Sequence, residues 1–317
     1  MKRRTLIPAF AAGLALLLAG CAGGTPSNSA AAGSGAGSGG ASKTAIVAST
    51  DVYGDIASRI GGDRVTITSI IDDPNKDPHE FQASAQNQLA LAKANIVIAN
   101  GGGYDDFVQT MLSSAKDSRA STAKLTVLNA TEISGHDQKS TDGGFNEHVW
   151  YDFPSMTKLA DALAAALSEA QPASAEFFAK NATAFAADLT ELESTEASLR
   201  TVHSGEAVAV TEPVPLYLLE AVGLVDITPK AFSDAIESGT DAAPQTLRET
   251  ISLFDSHAVA LLVYNEQSGG PQTDAVRKAA MANHIPAVPV TETLPAHQTY
   301  VSWMRANLDA IAKALGE

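Results

Sequence analysis

From residue 44 onwards, the chain alternates short runs of β-branched and other apolar residues with longer stretches rich in Ala and Leu. This alternation is typical of an α/β fold with largely parallel sheets. The strand-like runs fall into two sets: residues 45–49, 65–71, 96–100 and 125–129, and residues 207–211, 225–227, 259–264 and 287–291. We therefore predict two lobes, each with a parallel sheet flanked by helices.

A long helix is predicted between the two sets of strands. Residues 174–201 contain no Gly or Pro, and a helix of that length extends over roughly 40 Å. Its apolar stripe, at helical spacing, consists of Phe178, Phe185, Leu189, Leu192 and Leu199. Such a helix can join the lobes as a rigid backbone beside an interlobe cleft, whereas the alternative is a surface helix of a single domain.

The first 21 residues have the pattern of a bacterial lipoprotein signal. Three basic residues at positions 2–4 precede an apolar run from Leu6 to Leu18, and small residues lead up to Cys21. The alternative is a transmembrane helix, but the run of about 15 residues is shorter than the roughly 20 that span a bilayer. We expect cleavage before Cys21, lipid attachment at Cys21, and an extracytoplasmic location on the cell membrane.

Residues 22–42 are almost entirely Gly, Ala and Ser, a composition that behaves as a flexible tether. The predicted organisation has five parts. They are a signal peptide (1–20), the lipidated cysteine and tether (21–43), a first α/β lobe (44–172), a linking helix (173–203) and a second α/β lobe (204–317).

Charge and cysteine content restrict the possible chemistry. The chain has 36 acidic and 21 basic residues and a net charge of −15, which becomes −18 when the three basic residues of the leader are removed. Such an acidic chain repels phosphate backbones, so we expect no nucleic-acid partner. A single cysteine excludes an intramolecular disulfide and cysteine-rich metal sites. Any metal ligands must therefore be histidines and carboxylates.

Four residues stand where such ligands are expected. His79 and His148 lie in polar turns of the first half, and Glu212 and Glu292 directly follow predicted strands of the second. Ligands of open parallel sheets lie beyond the carboxyl ends of the strands. Two imidazoles and two carboxylates suit a divalent first-row cation. The alternatives are structural histidines and, for Glu212, an acid that stabilises a helix N-terminus.

The sequences around these residues are DPHE (77–80), NEHVW (146–150), VTEP (210–213) and VTETL (290–294). Together with the leader and Asp152, they resemble the zinc/manganese ABC-transporter substrate-binding lipoproteins, the cluster A-I metal-binding receptors, over about residues 44–315. The resemblance implies that a metal lies between two α/β lobes joined by a long helix. It also implies that His79, His148, Glu212 and Glu292 are the metal ligands.

The same resemblance implies a non-enzymatic receptor that delivers Zn²⁺ or Mn²⁺ to an ABC permease. The permease connects it to an ATPase, and we expect the receptor to be a monomer. Affinity order favours zinc, but two imidazoles and two carboxylates accommodate either ion. Candidates to hold the imidazole N–H groups are Glu80, Glu147 and Asp152. The segment 264–267 follows another strand of the second lobe and is a further candidate.

Other classes of protein fit less well. A zinc hydrolase is disfavoured because the chain has no HExxH or GxSxG motif, and because four protein ligands leave no open position. A siderophore or cobalamin receptor requires a wide aromatic or arginine-lined cleft, whereas only 6% of the residues are aromatic. A metal-dependent adhesin or interaction lipoprotein stays open as the alternative.

Overall fold

The computed structural model describes residues 43–73, 81–115, 125–138 and 144–317. The predicted signal peptide, Cys21 and nearly all of the predicted tether lie outside these ranges, as do His79 and Glu80. Among the helices in the described ranges, none is both long enough and apolar enough to cross a bilayer.

The described strands form two parallel four-stranded sheets, as predicted. The first sheet has the order β2-β1-β3-β4 and consists of β1 (Thr44–Thr50), β2 (Val65–Ile71), β3 (Ile96–Ala99) and β4 (Thr126–Asn129). The second has the order β6-β5-β7-β8 and consists of β5 (Ala207–Val210), β6 (Val225–Asp226), β7 (Leu262–Asn265) and β8 (Ala287–Val290). In each sheet the strand order reverses beside the first strand, which creates a crevice at the carboxyl ends.

Two strands begin later than predicted: β4 by one residue, at Thr126, and β7 by three residues. β7 begins at Leu262 rather than at residue 259, although the Ala260 N–H already donates a hydrogen bond to the carbonyl of Ala207 (2.8 Å). The chain is still turning out of the preceding helix here, because His257 has a left-handed backbone (φ 52°).

The described helices cover both faces of the sheets. They are α1 (Asp51–Gly61), α2 (Ala85–Lys93), α3 (Asp106–Ala115), α4 (Ala130–Ser134), α5 (Phe153–Ala170), α6 (Ala175–His203), α7 (Leu216–Val222), α8 (Lys230–Glu237), α9 (Pro244–Asp255), α10 (Pro271–Ala282) and α11 (Tyr300–Leu315). Short 3₁₀ turns occur at Gly62–Arg64, Val149–Tyr151 and Pro172–Ser174.

The long helix predicted between the two sets of strands is α6, which has 29 residues. All five members of the predicted apolar stripe are buried. The helix packs against α1 and α5 from the first half and against α7 and α11 from the second. It therefore supports both sheets, as expected of a linking backbone helix.

One hydrophobic core extends beneath both sheets. Ile46 and Ile98 of the first sheet belong to the same buried cluster as Val210 and Val263 of the second. Separate clusters cover the opposite faces, one with α2 and α3 and the other with α8, α9 and α10. Because of the shared core, the described residues form a single compact unit.

Buried hydroxyl groups also join the two halves. The Tyr300 hydroxyl donates a hydrogen bond to the carbonyl of Trp150 (2.6 Å), and the Tyr151 hydroxyl donates to the carbonyl of Thr291 (2.7 Å). Tyr151 and Trp150 form the 3₁₀ turn that follows His148, and Thr291 precedes Glu292. These bonds therefore fix the backbone beside two of the candidate ligands.

The buried carboxyl group of Glu196 makes the core sensitive to pH. Glu196 lies on α6 and is only 6% exposed. Burial, with added repulsion from Glu193 and Asp152, raises its pKa from 4.5 to about 8. The unfolded chain therefore loses this proton at lower pH than the folded protein, and stability falls as pH rises from about 4.5 to about 8.

Glu196→Gln removes this penalty. We expect its melting temperature to match that of the wild type near pH 4.5 and to exceed it by at least about 3 °C at pH 8.5, as followed by circular dichroism. The control is Asp309→Asn at an exposed position of α11. An advantage of Glu196→Gln that is the same at both pH values would contradict the assignment.

Candidate metal centre

The imidazole of His148 is fully buried and held in one orientation. The Asn146 side-chain oxygen accepts hydrogen bonds from the backbone N–H of His148 (3.1 Å) and from its Nδ1 (2.7 Å). The other end of the amide is also fixed, because Asn146 Nδ2 donates to the carbonyl of Pro213 (3.1 Å). An amide oxygen only accepts hydrogen bonds, so Nδ1 carries a proton and Nε2 is the ring nitrogen that faces the other groups of the site.

The surroundings of His148 come from both halves of the molecule. Nε2 lies 3.3 Å from Oε1 of Glu237, the last residue of α8. The rings of Tyr104 and Trp150 pack edge-on against the imidazole, with centroid distances of 6.0 and 5.1 Å. The Tyr104 hydroxyl lies near the Glu292 carboxylate, and burial together with that negative charge raises the pKa of Tyr104 well above its ordinary value. Tyr104 therefore lies beside both His148 and Glu292 and stays protonated.

The two predicted carboxylates follow strands of the second sheet, and each is 3% exposed. Glu212 follows β5 and Glu292 follows β8, with β7 between them. The end of β7 and its loop support both, since Asn265 Nδ2 donates to Glu292 Oε1 (2.7 Å) and Ser268 Oγ donates to Glu212 Oε2 (2.6 Å). Gln267 Oε1 accepts a further bond from the backbone N–H of Glu292.

Both carboxylates line one cavity of about 730 Å³ with Glu237. Asp241 contributes a fourth acidic side chain, and no Lys or Arg is present among the described residues that line it. A cavity with this charge favours a cation. Within the described ranges, no three His, Cys, Asp or Glu side chains are already arranged as a metal site.

The structure therefore places Glu212 and Glu292 in the wall of one cavity and His148 beside Glu237 of the same wall, and their assignment as ligands stays a prediction. His79, the other predicted imidazole ligand, and Glu80 are outside the described residues. Glu147 contributes its backbone carbonyl, which accepts a hydrogen bond from Asn100 Nδ2 (3.0 Å). This bond ties the segment before His148 to the end of β3.

Asp152 is next to a different imidazole. Its Oδ2 lies 3.0 Å from Nε2 of His136, and it also accepts the Ser155 N–H at the start of α5 (3.2 Å). The His136 ring stacks on Tyr217 with a centroid distance of 4.8 Å. The side chain that holds His148 Nδ1 is instead Asn146, which lies within the NEHVW motif but was not assigned this role.

Glu237 was not identified from the sequence. It is the last residue of a short helix, and the residues around it (SDAIESGTD, 233–241) match no ligand motif. Only the fold brings it to the cavity that contains Glu212 and Glu292. Asn146 had a weak signal, because Asn side chains commonly bond to backbone groups two residues further on.

A comparison with protein families identifies the kind of chain that carries this site. Residues 46–314 match the family model described as ZnuA, zinc-uptake complex component A, periplasmic. The chain belongs to this family. The resemblance to metal-binding receptors inferred from the four motifs is therefore confirmed.

Relatives of this ZnuA-family chain include metal-binding lipoproteins. The manganese-binding lipoprotein MntA of Halalkalibacterium halodurans is 24% identical over 293 residues, covering 90% of this chain and 95% of MntA. The SBP FpvC of Pseudomonas aeruginosa, solved in complex with Mn²⁺, has a TM-score of 0.70 at 19% identity and covers 86% of this chain and 98% of FpvC. The periplasmic zinc-binding protein TroA of Treponema pallidum also has a TM-score of 0.70 at 19% identity, covering 87% of this chain and 100% of TroA. These structures share the fold.

A glycine turn directly follows Asn100, the residue whose side chain donates to the Glu147 carbonyl next to His148. Gly101 follows Asn100 at the end of β3 and has φ 79°, and its N–H donates to Asp105 Oδ1 (2.8 Å). A Cβ at Gly101 would lie 2.3 Å from the Asn129 side chain, whereas a Cβ at Gly103 (φ 99°) would have no neighbour within 4 Å.

Gly101→Ala should therefore be more destabilising than Gly103→Ala. Both variants incur the strain of a positive φ, so the difference between them isolates the clash with Asn129. We expect an additional loss of at least about 1 kcal/mol in the free energy of unfolding, measured by chemical denaturation. Equal losses in the two variants would show that the Asn129 side chain leaves room for a Cβ at position 101.

Proposed function

We propose that this protein is the extracytoplasmic metal-ion receptor of an ABC importer, which captures Zn²⁺ or Mn²⁺ and delivers it to the permease. The observation that carries the proposal is that the carboxylates of Glu212, Glu237 and Glu292 line one cavity and that the buried imidazole of His148 lies 3.3 Å from Glu237. Imidazole nitrogen and carboxylate oxygen are donors that first-row divalent cations accept. Membership of the zinc-uptake family supports the same function.

In this proposal, each ligand has a distinct role. His148 offers Nε2, since Asn146 occupies Nδ1. Glu212 and Glu292 supply two negative charges that balance a divalent ion, and their oxygens are oriented by the loop after β7. His79 is proposed as the second imidazole. Because His148 and the carboxylates belong to different halves of the chain, the bound ion would hold those halves together.

Zn²⁺ is proposed as the tighter ligand and Mn²⁺ as an alternative cargo. The family description names zinc, whereas the name of the relative MntA specifies manganese. For a given nitrogen and oxygen site, the affinity order of first-row cations places zinc above manganese. Manganese becomes competitive when the carboxylates raise the coordination number towards six.

The proposed receptor is a monomer, anchored to the membrane through lipid on Cys21, and its partners are the permease and, through it, the ATPase. The lipoprotein pattern of residues 1–21 supports the anchor, as does the name of the lipoprotein MntA. Because the matching family consists of components of an uptake complex, its membership favours a receptor over a hydrolase. It also favours transport over the alternative of a metal-dependent adhesin.

The test of function is metal binding by variants of the described ligands. His148→Ala and Glu212→Ala should each abolish stoichiometric Zn²⁺ binding in titration calorimetry. Each should also abolish the rise in melting temperature that a ligand of the folded state produces. The control is His284→Asn, which removes an exposed imidazole at a position with φ 57° that Asn tolerates. Full binding by both ligand variants would refute the site.

The Asn146–His148 contact gives a second test. Asn146→Ala should weaken Zn²⁺ affinity by roughly 10–100-fold, because the imidazole loses the acceptor that orients it. Asn146→Asp keeps an acceptor oxygen at the same place, so its affinity should stay closer to that of the wild type. Competition with a chelator of known affinity measures both variants. Equal affinities for Asn146→Ala and Asn146→Asp would show that the contact does not orient the ligand.

A further inference from the structure

The helix α1 contacts both halves of the chain. It begins at Asp51, directly after the carboxyl end of β1, and ligands of parallel sheets lie at that edge. The helix packs against β1 and β2 of the first sheet and against α11 of the second half. Side chains from its first turn therefore reach segments of both halves.

One of these side chains, Tyr53, orients the amide of Asn100. Tyr53 is 0% exposed, and its hydroxyl donates a hydrogen bond to the side-chain oxygen of Asn100. Burial, with added repulsion from Asp105, raises the pKa of Tyr53 well above its ordinary value, so the hydroxyl keeps its proton. Asn100 Nδ2 donates to the carbonyls of Gly101 (2.9 Å) and Glu147 (3.0 Å). Carbonyls only accept hydrogen bonds, so the amide has one orientation, with its oxygen facing the hydroxyl.

Asn100 in turn holds the backbone on both sides of His148. The Glu147 carbonyl that accepts the Asn100 N–H group also accepts the Val149 N–H (2.8 Å). The two peptide groups that flank His148 are therefore tied to each other and to the end of β3. The backbone of Asn100 is fixed as well, because the buried Asp105 carboxylate accepts its N–H (2.6 Å). A chain of hydrogen bonds thus runs from α1 to the His148 segment.

A second side chain of the same turn, Asp51, holds the segment of another candidate ligand. Its Oδ1 accepts the backbone N–H of Leu294 (3.1 Å), two residues after Glu292. Asp51 and Tyr53 are two positions apart in one helix. The His148 and Glu292 segments, which belong to different halves of the chain, therefore share one rigid support.

We propose that Tyr53 and Asp51 are positioning residues of the metal site, which hold the His148 and Glu292 segments at the separation that a bound ion requires. This inference rests on the proposed function, because it assigns supporting residues to the same site. Nitrogen and oxygen ligands bind zinc at about 2.0–2.2 Å, so a small shift of either segment weakens binding. Residues that orient metal ligands typically contribute about 10–100-fold in affinity.

The test measures Zn²⁺ affinity of Tyr53→Phe and Asp51→Ala by competition with a chelator. Phe keeps the buried ring and Ala favours the helix, so both substitutions remove a hydrogen bond with little other change. The titration is run at a temperature at which circular dichroism shows each variant to be fully folded, because lower global stability does not change the affinity of a folded protein. We expect each affinity to fall by roughly tenfold.

Asp51→Asn separates the hydrogen bond from the charge. The amide oxygen still accepts the Leu294 N–H, whereas the negative charge is lost. Its Zn²⁺ affinity should therefore recover most of the loss measured for Asp51→Ala.

The matched control removes a hydrogen bond from the other end of α1. Asn181 Nδ2, on α6, donates to the carbonyl of Ile60 in the last turn of α1 (2.9 Å). Asn181→Ala loses this bond but leaves the contacts of Tyr53 and Asp51 intact. Its Zn²⁺ affinity should equal that of the wild type.

Each other outcome is decisive. Wild-type affinity in Tyr53→Phe or in Asp51→Ala would overturn this inference and leave the proposed function intact. A similar loss in Asn181→Ala would overturn it too, because any loosening of α1 would then suffice. Equal losses in Asp51→Ala and Asp51→Asn would assign the effect to charge and also overturn it. Absence of stoichiometric Zn²⁺ binding by the wild type would overturn both proposals.

Discussion

Negative charge concentrated in a buried cavity is the constraint on which the site depends. Glu212, Glu237 and Glu292 line one cavity, and a low-dielectric interior makes the approach of several carboxylates costly. Hydrogen bonds from Ser268 and Asn265 relieve part of that cost. A divalent cation relieves more of it, because it neutralises the charge directly. In the proposed site, the same repulsion that opposes folding of the metal-free chain would become a source of affinity.

The fold keeps these groups buried by tying the two halves together beside the site. The carboxylate of Asp51, at the start of α1, accepts the Leu294 N–H (3.1 Å), just after Glu292. Asp55 accepts the Tyr300 N–H (2.8 Å) at the start of α11. Burial raises the pKa of Asp51 to about 6, so the carboxylate that holds this junction is itself only partly solvated. These contacts position the residues after β8 independently of any metal.

The orientation of His148 shows how a transport site differs from a catalytic one. A catalytic zinc keeps an open coordination position for substrate, whereas a receptor gains from surrounding its cargo with protein donors. In this protein the imidazole is oriented by Asn146 and backed by Tyr104 and Trp150. In the proposed site, the donors for the ion come from both halves of the chain. Release from the proposed site to a permease would then require the halves to separate, so that transfer would include a conformational change.

The sequence by itself determined the two parallel sheets and the long helix, because the periodicity of apolar residues reports on near neighbours along the chain. It also predicted His148, Glu212 and Glu292 as ligands, the two carboxylates because ligands of parallel sheets lie beyond strand ends, and this assignment stays a prediction. It determined the family as well, because the motifs occur together in one chain. The boundary of β7 was less well predicted, since turns shift the point where pairing begins.

Only the tertiary structure decided which side chains meet. It placed Asp152 beside His136, it assigned the orientation of His148 to Asn146, and it brought Glu237 to the cavity. Some of these contacts join residues that are far apart in the sequence. In the others, several neighbouring side chains could have made the same hydrogen bond, and the sequence does not show which one does. Their proximity follows from the packing of α8 and the second sheet against the first half. Periodicity and motif spacing contain no information about that packing, because it depends on the sum of many long-range contacts.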